Sequence, residues 1–227
     1  MGADSHQQGD SPASRVLVNI EIAVGAAPSF SSFAPGTKIL DRYIIEEMIG
    51  VGGMGMVFRA RHELLGETVA IKCLRADSGS GNESLSRFLR EARASAQIKS
   101  QHVAKVHDVG TLPSGTPYMV MEYLEGQDLG ELLTRYGAFS IHDAIEYALQ
   151  ACDALNAAHK LGVVHRDIKP ANFFLTKNEH GEKIVKMLDF GISKTDGENL
   201  TKSAVMLGTP FYMAPEQLYS AKAADIR

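Results

Sequence analysis

The sequence predicts an α+β fold, with an antiparallel sheet plus one helix in its N-terminal part and a mainly helical C-terminal part. Short apolar runs separated by Gly- and Pro-containing turns predict strands between residues 43 and 123. Apolar residues at steps of three and four predict one helix within 82–99 and a longer helix over 140–160. Turns that join neighbouring predicted strands as hairpins indicate antiparallel pairing, which together with these helices is typical of the α+β class.

Composition excludes several classes of protein. The chain has 227 residues, 44% of them hydrophobic, and a formal net charge of −4, which argues against nucleic-acid partners. Its two cysteines, Cys73 and Cys152, form no disulfide framework and no paired zinc spacing. No apolar run reaches the roughly 18 to 20 residues that span a bilayer. We therefore expect a cytoplasmic protein without a membrane segment in this chain, and a membrane tether beyond residue 227 is left open.

A change of texture near residue 37 predicts the domain boundary. Residues 1–36 are rich in Gly, Ser, Ala and Pro and show little periodicity, which is typical of a flexible leader. Residues 37–227 are predicted to form one domain, with a sheet-rich part over about 37–122 and a partial helical part over about 123–227.

A glycine-rich stretch joins the first two predicted strands. Glycines 50, 52 and 55 leave no side chain between the backbone and a ligand, so amide N–H groups can approach phosphate oxygens closely. The same spacing also occurs in dinucleotide-binding folds, where it opens a helix, whereas residues 56–61 are predicted to form a strand. The predicted nucleotide-binding residues of this hairpin are Ile49, Gly50, Val51, Gly52, Gly53, Met54, Gly55, Met56 and Val57.

Lys72 lies within an apolar strand predicted over 67–74, where a cation is costly unless it is paired. Glu91 is the candidate partner, because it lies beside the apolar stripe of the helix predicted within 82–99. The alternative for Glu91 alone is an ordinary solvated helix carboxylate.

The helix predicted over 140–160 is expected to be structural. Ser140 and Asp143 resemble a capping box at its start. Its apolar residues recur at helical steps and are predicted to form core: Ile141, Ala144, Ile145, Ala148, Leu149, Cys152, Leu155 and Ala158.

Residues 164–172 place an acid, a cation and an amide in one loop. Asp167 can accept the proton of an attacking hydroxyl, Lys169 can neutralise charge on a transferred phosphoryl group, and Asn172 offers an uncharged oxygen suited to Mg²⁺. A strand pair predicted over 173–188 follows and ends at Asp189, whose position suits it to hold a cation. The alternative for the loop is a charged surface turn.

These stretches together resemble the catalytic domain of eukaryotic-type (Hanks-type) serine/threonine protein kinases, and most closely its bacterial branch. Six elements occur in the family's order from residue 43 to 216: the glycine-rich hairpin, Val69-Ala70-Ile71-Lys72, Glu91, His165-Arg166-Asp167 with Lys169 and Asn172, Asp189-Phe190-Gly191, and Ala214-Pro215-Glu216. The resemblance implies two lobes, ATP and Mg²⁺ as cofactors, and a protein Ser/Thr hydroxyl as acceptor.

The resemblance also assigns roles to residues. Lys72, held by Glu91, contacts the α and β phosphates, and Asn172 with Asp189 holds Mg²⁺. The backbone around Glu122 and Leu124 holds the adenine. In such kinases Arg166 pairs with a phosphate of the segment between Asp189 and Glu216, and self-phosphorylation is expected at Thr201 or Ser203.

One feature departs from the family pattern. The family's catalytic domain continues with several helices after Ala-Pro-Glu, whereas this sequence stops at Arg227. The expectation is a truncated domain that is poorly stable and nearly inactive alone. A catalytically impaired nucleotide-binding or scaffold protein is the alternative function, and ATP hydrolysis a more distant one.

Overall fold

The computed structural model describes residues 33–52, 55–74, 89, 92–188 and 209–219, whose strands form two antiparallel sheets. The larger sheet has six strands in the order β1-β2-β3-β4-β6-β5 and the smaller has three in the order β7-β8-β9. The predicted α+β class is confirmed, since the larger sheet precedes the two longest described helices. The strands are β1 Lys38–Ile39, β2 Tyr43–Gly52, β3 Gly55–His62, β4 Thr68–Leu74, β5 Val106–Thr111, β6 Pro117–Glu122, β7 Gln127–Asp128, β8 Phe173–Lys177 and β9 Lys183–Met187.

The larger sheet is held by a row of apolar side chains on one face. Antiparallel pairing places Val69 opposite Ala60 and Ile71 opposite Phe58, so these side chains share a face and are buried together. The ring of Phe33 stacks on Phe58 with centroids 5.0 Å apart, so the end of the segment predicted as a leader packs on this sheet.

The described residues of the C-terminal part include three α-helices: α1 Leu129–Tyr136, α2 Ile141–His159 and α3 Pro215–Tyr219. The predicted cap of α2 is confirmed, because Ser140 Oγ accepts a hydrogen bond from the N–H of Asp143 at 3.0 Å. Helix α1 has a corresponding cap that was not predicted, in which Asp128 Oδ1 accepts from the N–H of Glu131 at 2.9 Å.

The predicted core face of α2 is wrong for most of its members. Ala158 is buried and Leu155 half-buried, but the other six predicted positions are exposed, including Ile141 at 81%. The buried side of the helix instead carries Tyr147 and Ala154. Apolar residues occur on both sides of α2, and the spacing did not identify which side packs on β9.

His102 and Ala104, which precede β5 of the larger sheet, form backbone hydrogen bonds with β9 of the smaller sheet. The N–H of Met187 donates to the carbonyl of His102 at 2.8 Å, and the N–H of Ala104 donates to the carbonyl of Met187 at 2.9 Å. The His102 ring lies 3.1 Å from the Val185 carbonyl, which can only accept, so Nδ1 carries the ring proton there. The segment that follows the helical residues 92–96 is therefore fastened to β9.

None of the described helices is long and apolar enough to cross a lipid bilayer.

Candidate active site

The glycine-rich hairpin is the β2–β3 connection, and its register explains why glycine is required at its end. Gly55 pairs with Gly52 across the hairpin and has φ of +145°. A Cβ atom on Gly55 would lie 2.1 Å from the Cys73 carbonyl oxygen, which no side chain tolerates. Gly53 and Met54 lie outside the described residues. The predicted strand-turn-strand geometry, as opposed to a glycine-rich helix start, is confirmed.

An apolar cluster lies beneath the hairpin where the two sheets meet. The larger sheet contributes Ile49, Val57 and Ala70, and Phe174 from β8 packs against them from the smaller sheet. Leu124 closes the cluster from the chain segment that connects the sheets. Ala70 and Phe174 were not predicted as members of this cluster, because nothing in their residue types or spacing indicates that they meet.

Lys72 is 5% exposed in the middle of β4, flanked by Val57 on β3 and Met119 on β6. Directly opposed residues of antiparallel strands share a face, so Lys72 lies on the same side as Met119. Met119 packs with Ala92 of the helical residues 92–96, which places that segment on the Lys72 side of the sheet. Glu91 itself lies outside the described residues, so its pairing with Lys72 stays a prediction.

Cys73, the neighbour of Lys72, faces the opposite side of the sheet, in the apolar core. Burial raises the pKa of the Cys73 thiol to about 12, so this thiol stays protonated at neutral pH. It is therefore a structural residue beside the site, without nucleophilic character.

Glu122, at the end of β6, connects the two sheets through its side chain. Lys186 Nζ on β9 lies 2.7 Å from Glu122 Oε1 and 2.9 Å from Oε2, and the N–H of Lys105 also donates to Oε1 at 2.7 Å. The N–H of Glu122 donates to the Lys105 carbonyl at 2.9 Å. The sequence predicted a role only for the backbone of Glu122, as a partner of the adenine. The contact between its side chain and Lys186 was not predicted.

The loop after α2 brings three predicted site residues together. Lys169 Nζ lies 3.5 Å from Asp167 Oδ2. Asn172 ends a short 3₁₀ turn that begins at Pro170, and its Nδ2 donates to the Asp167 carbonyl at 2.6 Å and to Oδ2 at 3.2 Å. Because the amide nitrogen is used toward Asp167, the oxygen of Asn172 is the atom available to a cation. Lys169 and Asn172 thus both contact the carboxylate of Asp167.

The backbone of this loop is fixed by His165 and by an unusual conformation at Arg166. His165 is 1% exposed, its Nδ1 accepts from the N–H of Asp167 at 3.2 Å, and its Nε2 therefore donates to the Leu188 carbonyl at 2.9 Å. Arg166 has φ of +62°, a left-handed conformation that is uncommon for residues other than glycine. Its Nε atom is buried with no acceptor among the described residues.

The side-chain oxygen of Asn172 suits a hard divalent cation, whose preferred ligands are oxygens. The N–H of Leu188 donates to the backbone carbonyl of Asn172 at 2.8 Å, so the end of β9 lies beside the Asn172 position. Asp189 is the next residue in the chain after Leu188, but it lies outside the described residues, as do Thr201 and Ser203.

A cavity of about 310 Å³ adjoins the loop 164–172. Its lining is almost entirely apolar and comes from α1, α2, the loop at Ile168, Lys169 and Pro170, and Tyr212.

The chain resembles known proteins both in sequence and in structure. The family described as "Protein kinase domain" matches residues 43–226. A probable serine/threonine-protein kinase of Clostridium acetobutylicum is 40% identical over 183 residues, covering 80% of this chain and 27% of that protein. Serine/threonine-protein kinase PknA of Mycobacterium tuberculosis is 38% identical over 187 residues, covering 80% of this chain and 42% of that protein. The chain thus spans less than half the length of these curated relatives.

The kinase domain of Mycobacterium tuberculosis PknI has a similar solved structure. It superposes with a TM-score of 0.62 at 28% identity, covering 74% of this chain and 68% of that one.

Proposed function

This chain belongs to the protein kinase domain family, and from that premise we propose that it transfers the γ-phosphoryl group of ATP to Ser or Thr hydroxyls of a protein substrate. The observation that carries the proposal is the convergence of Lys169 and Asn172 on the carboxylate of Asp167, at 3.5 and 3.2 Å. The family in general uses ATP and a divalent metal, and we propose Mg²⁺ as the metal here.

The geometry supports an in-line displacement at the γ-phosphorus. Asp167 accepts the proton of the substrate hydroxyl as its oxygen bonds to phosphorus, while the bond to the bridging β–γ oxygen breaks and ADP leaves. Lys169, which lies beside that carboxylate, offsets the negative charge of the phosphoryl oxygens during transfer. Asn172 holds the Asp167 carboxylate in place with its amide N–H.

Asn172 and Asp189 are the proposed metal-binding residues. When bound, the ion neutralises phosphate charge and orients the phosphates.

The apolar cluster supports a position for the nucleotide. We assign the adenine to the space between Val57 and Ala70 of the larger sheet and Phe174 of the smaller sheet, because a flat apolar ring suits a slot with apolar walls. The backbone of Glu122 and Leu124 then supplies hydrogen bonds at its edge. Lys72 is assigned to the α and β phosphates, with Glu91 as its partner.

The experiment is transfer of labelled phosphate from Mg²⁺·ATP to a generic protein substrate, measured alongside nucleotide binding. Asp167→Asn should lower transfer by about 100-fold or more, because the change removes the proton acceptor. Nucleotide binding should stay within about twofold, because Asp167 is not part of the slot assigned to the adenine. Asp153→Asn, an exposed change on α2, is the matched control and should leave both unchanged. Tight nucleotide binding without transfer by the unmodified chain would instead support the nucleotide-binding scaffold.

Self-phosphorylation at Thr201 or Ser203 is proposed as the regulatory step. The buried Nε of Arg166, which has no acceptor among the described residues, supports an anionic partner for this guanidinium. A phosphate of about −1.5 to −2 charge supplies such a partner. The double substitution Thr201→Ala with Ser203→Ala should abolish activation by preincubation with ATP. Full activation of that variant, or mapping that finds both sites unmodified in active protein, would refute this step.

A further inference from the structure

Gln217 connects the start of α3 to residues 164–172, the loop that carries Asp167 and is here called the catalytic loop. Pro215 is the first residue of α3, so Ala214 is the N-cap and Gln217 is the third helical residue. The N–H of Gln217 donates to the Ala214 carbonyl at 2.9 Å, and Gln217 Oε1 accepts from the N–H of Ala214 at 3.1 Å. A side chain that reaches back from this position to the N-cap N–H is one half of a capping box.

The other end of the same amide reaches 51 residues back along the chain. Gln217 Nε2 donates to the carbonyl oxygen of Arg166 at 2.9 Å. Arg166 is the residue with φ of +62°, a conformation that its Cβ disfavours and that surrounding contacts must maintain.

This contact completes a clamp on one peptide unit. The Arg166 carbonyl and the Asp167 N–H belong to the same planar peptide group. Gln217 holds the carbonyl side, and His165 Nδ1 holds the N–H side at 3.2 Å. With a hydrogen bond on each side, rotation of this peptide plane is restrained, and so is the direction in which the Asp167 side chain leaves the backbone.

We propose that Gln217 is a positioning residue that maintains the left-handed conformation of Arg166 and thereby orients the Asp167 carboxylate. The inference rests on the proposed transferase function. It also couples the end of the segment 189–216 to the catalytic carboxylate, because Gln217, in the first turn of α3, contacts the loop that carries Asp167.

A purely local role for Gln217 makes a different prediction. If its side chain served only to cap α3, glutamate would replace it well, since Glu is as suitable as Gln at this position and its charge favours a helix N-terminus. Glutamate keeps an acceptor for the Ala214 N–H but has no donor for the Arg166 carbonyl. Gln217→Glu therefore separates the clamp from the cap without changing the size of the side chain.

The test compares Gln217→Glu and Gln217→Ala with the unmodified protein in steady-state phosphate transfer. Loss of the donor should lower kcat by roughly 3- to 10-fold in Gln217→Ala, the range expected for one hydrogen bond. Gln217→Glu should lose at least as much, because a carboxylate oxygen then faces the carbonyl oxygen. KM for ATP should stay within about twofold, because the slot assigned to the adenine, formed by Val57, Ala70 and Phe174, does not include the peptide that the clamp restrains. Gln97→Glu adds the same charge at an exposed position and should change neither constant.

Amide hydrogen exchange gives a readout that does not depend on catalysis. In both Gln217 variants, exchange of a peptide covering 164–172 should become faster by a factor of about 3 to 10, while β2 to β4 stay unchanged. Unmodified protein that transfers no phosphate would overturn the proposed function, and the exchange result would still decide the clamp. Gln217→Glu with normal kcat, or with unchanged exchange in 164–172, would overturn the clamp and leave only the cap.

Discussion

Lys186→Met should destabilise the fold by removing the cation that joins β9 to Glu122 on β6. The ammonium lies within 2.9 Å of both carboxylate oxygens, and the two side chains are only 16% and 24% exposed. Without Lys186, the carboxylate keeps one described donor, the Lys105 N–H. A hydrogen bond to a charged group contributes about 1.5 to 3 kcal/mol. Because water reaches part of this pair, we expect a loss near the middle of that range, about 2 kcal/mol.

The assay is a double-mutant cycle in urea with Lys186→Met, Glu122→Gln and both together. A direct pair should give a coupling free energy of about 1 to 2 kcal/mol. A loss of about 2 kcal/mol corresponds to a fall in Tm of roughly 4 to 8 °C for a chain of this length. The exposed pair of Lys38 and Glu63, at 46% and 41%, is the matched control and should give less than about 0.5 kcal/mol.

Salt separates the two pairs further. The coupling of the shielded pair of Glu122 and Lys186 should persist at about 1 M salt, where the Debye length is only about 3 Å, and that of the exposed pair should vanish. Additive effects within about 0.3 kcal/mol would show that the contact between Lys186 and Glu122 contributes no net stabilisation. A coupling that disappears with salt would show that this pair is as accessible to solvent as the exposed pair.

Three further predictions concern single residues. Gly55→Ala should lower the free energy of unfolding by about 2 to 4 kcal/mol in urea titrations, because its Cβ would lie 2.1 Å from the Cys73 carbonyl oxygen. The control is Gly137→Ala, at a position with φ of +80° where a Cβ would meet no atom within 4 Å. It should lower the free energy of unfolding by only about 1 to 2 kcal/mol. Asp128→Asn should keep the α1 cap and raise stability at neutral pH, because burial raises the pKa of Asp128 and Oδ2 has no partner among the described residues. A raised folded-state pKa makes the wild-type protein lose stability as pH rises through that pKa. The variant should therefore lose less stability than the wild type between acid and neutral pH. Lys72→Met should lower phosphate transfer by about 100-fold with the fold intact by circular dichroism, whereas Lys183→Met, 64% exposed, should have no effect.

The local elements could be predicted from the sequence because their determinants are neighbours in the chain. Alternation and turn residues predicted β2, β3 and the β8–β9 hairpin, and Ser140 predicted the start of α2. The spacing within 164–172 was enough to bring Asp167, Lys169 and Asn172 to one point, since the whole set lies on a single loop.

Only the tertiary structure decided which distant residues meet. Glu122 pairs with Lys186 across 64 residues, and Gln217 reaches Arg166 across 51. Phe174 joins Val57 and Ala70 only because the two sheets face each other there. The same limit explains the error on α2, where apolar residues on two sides left the packed side undetermined. Periodicity is a property of one element, whereas burial and pairing depend on the path of the chain between elements.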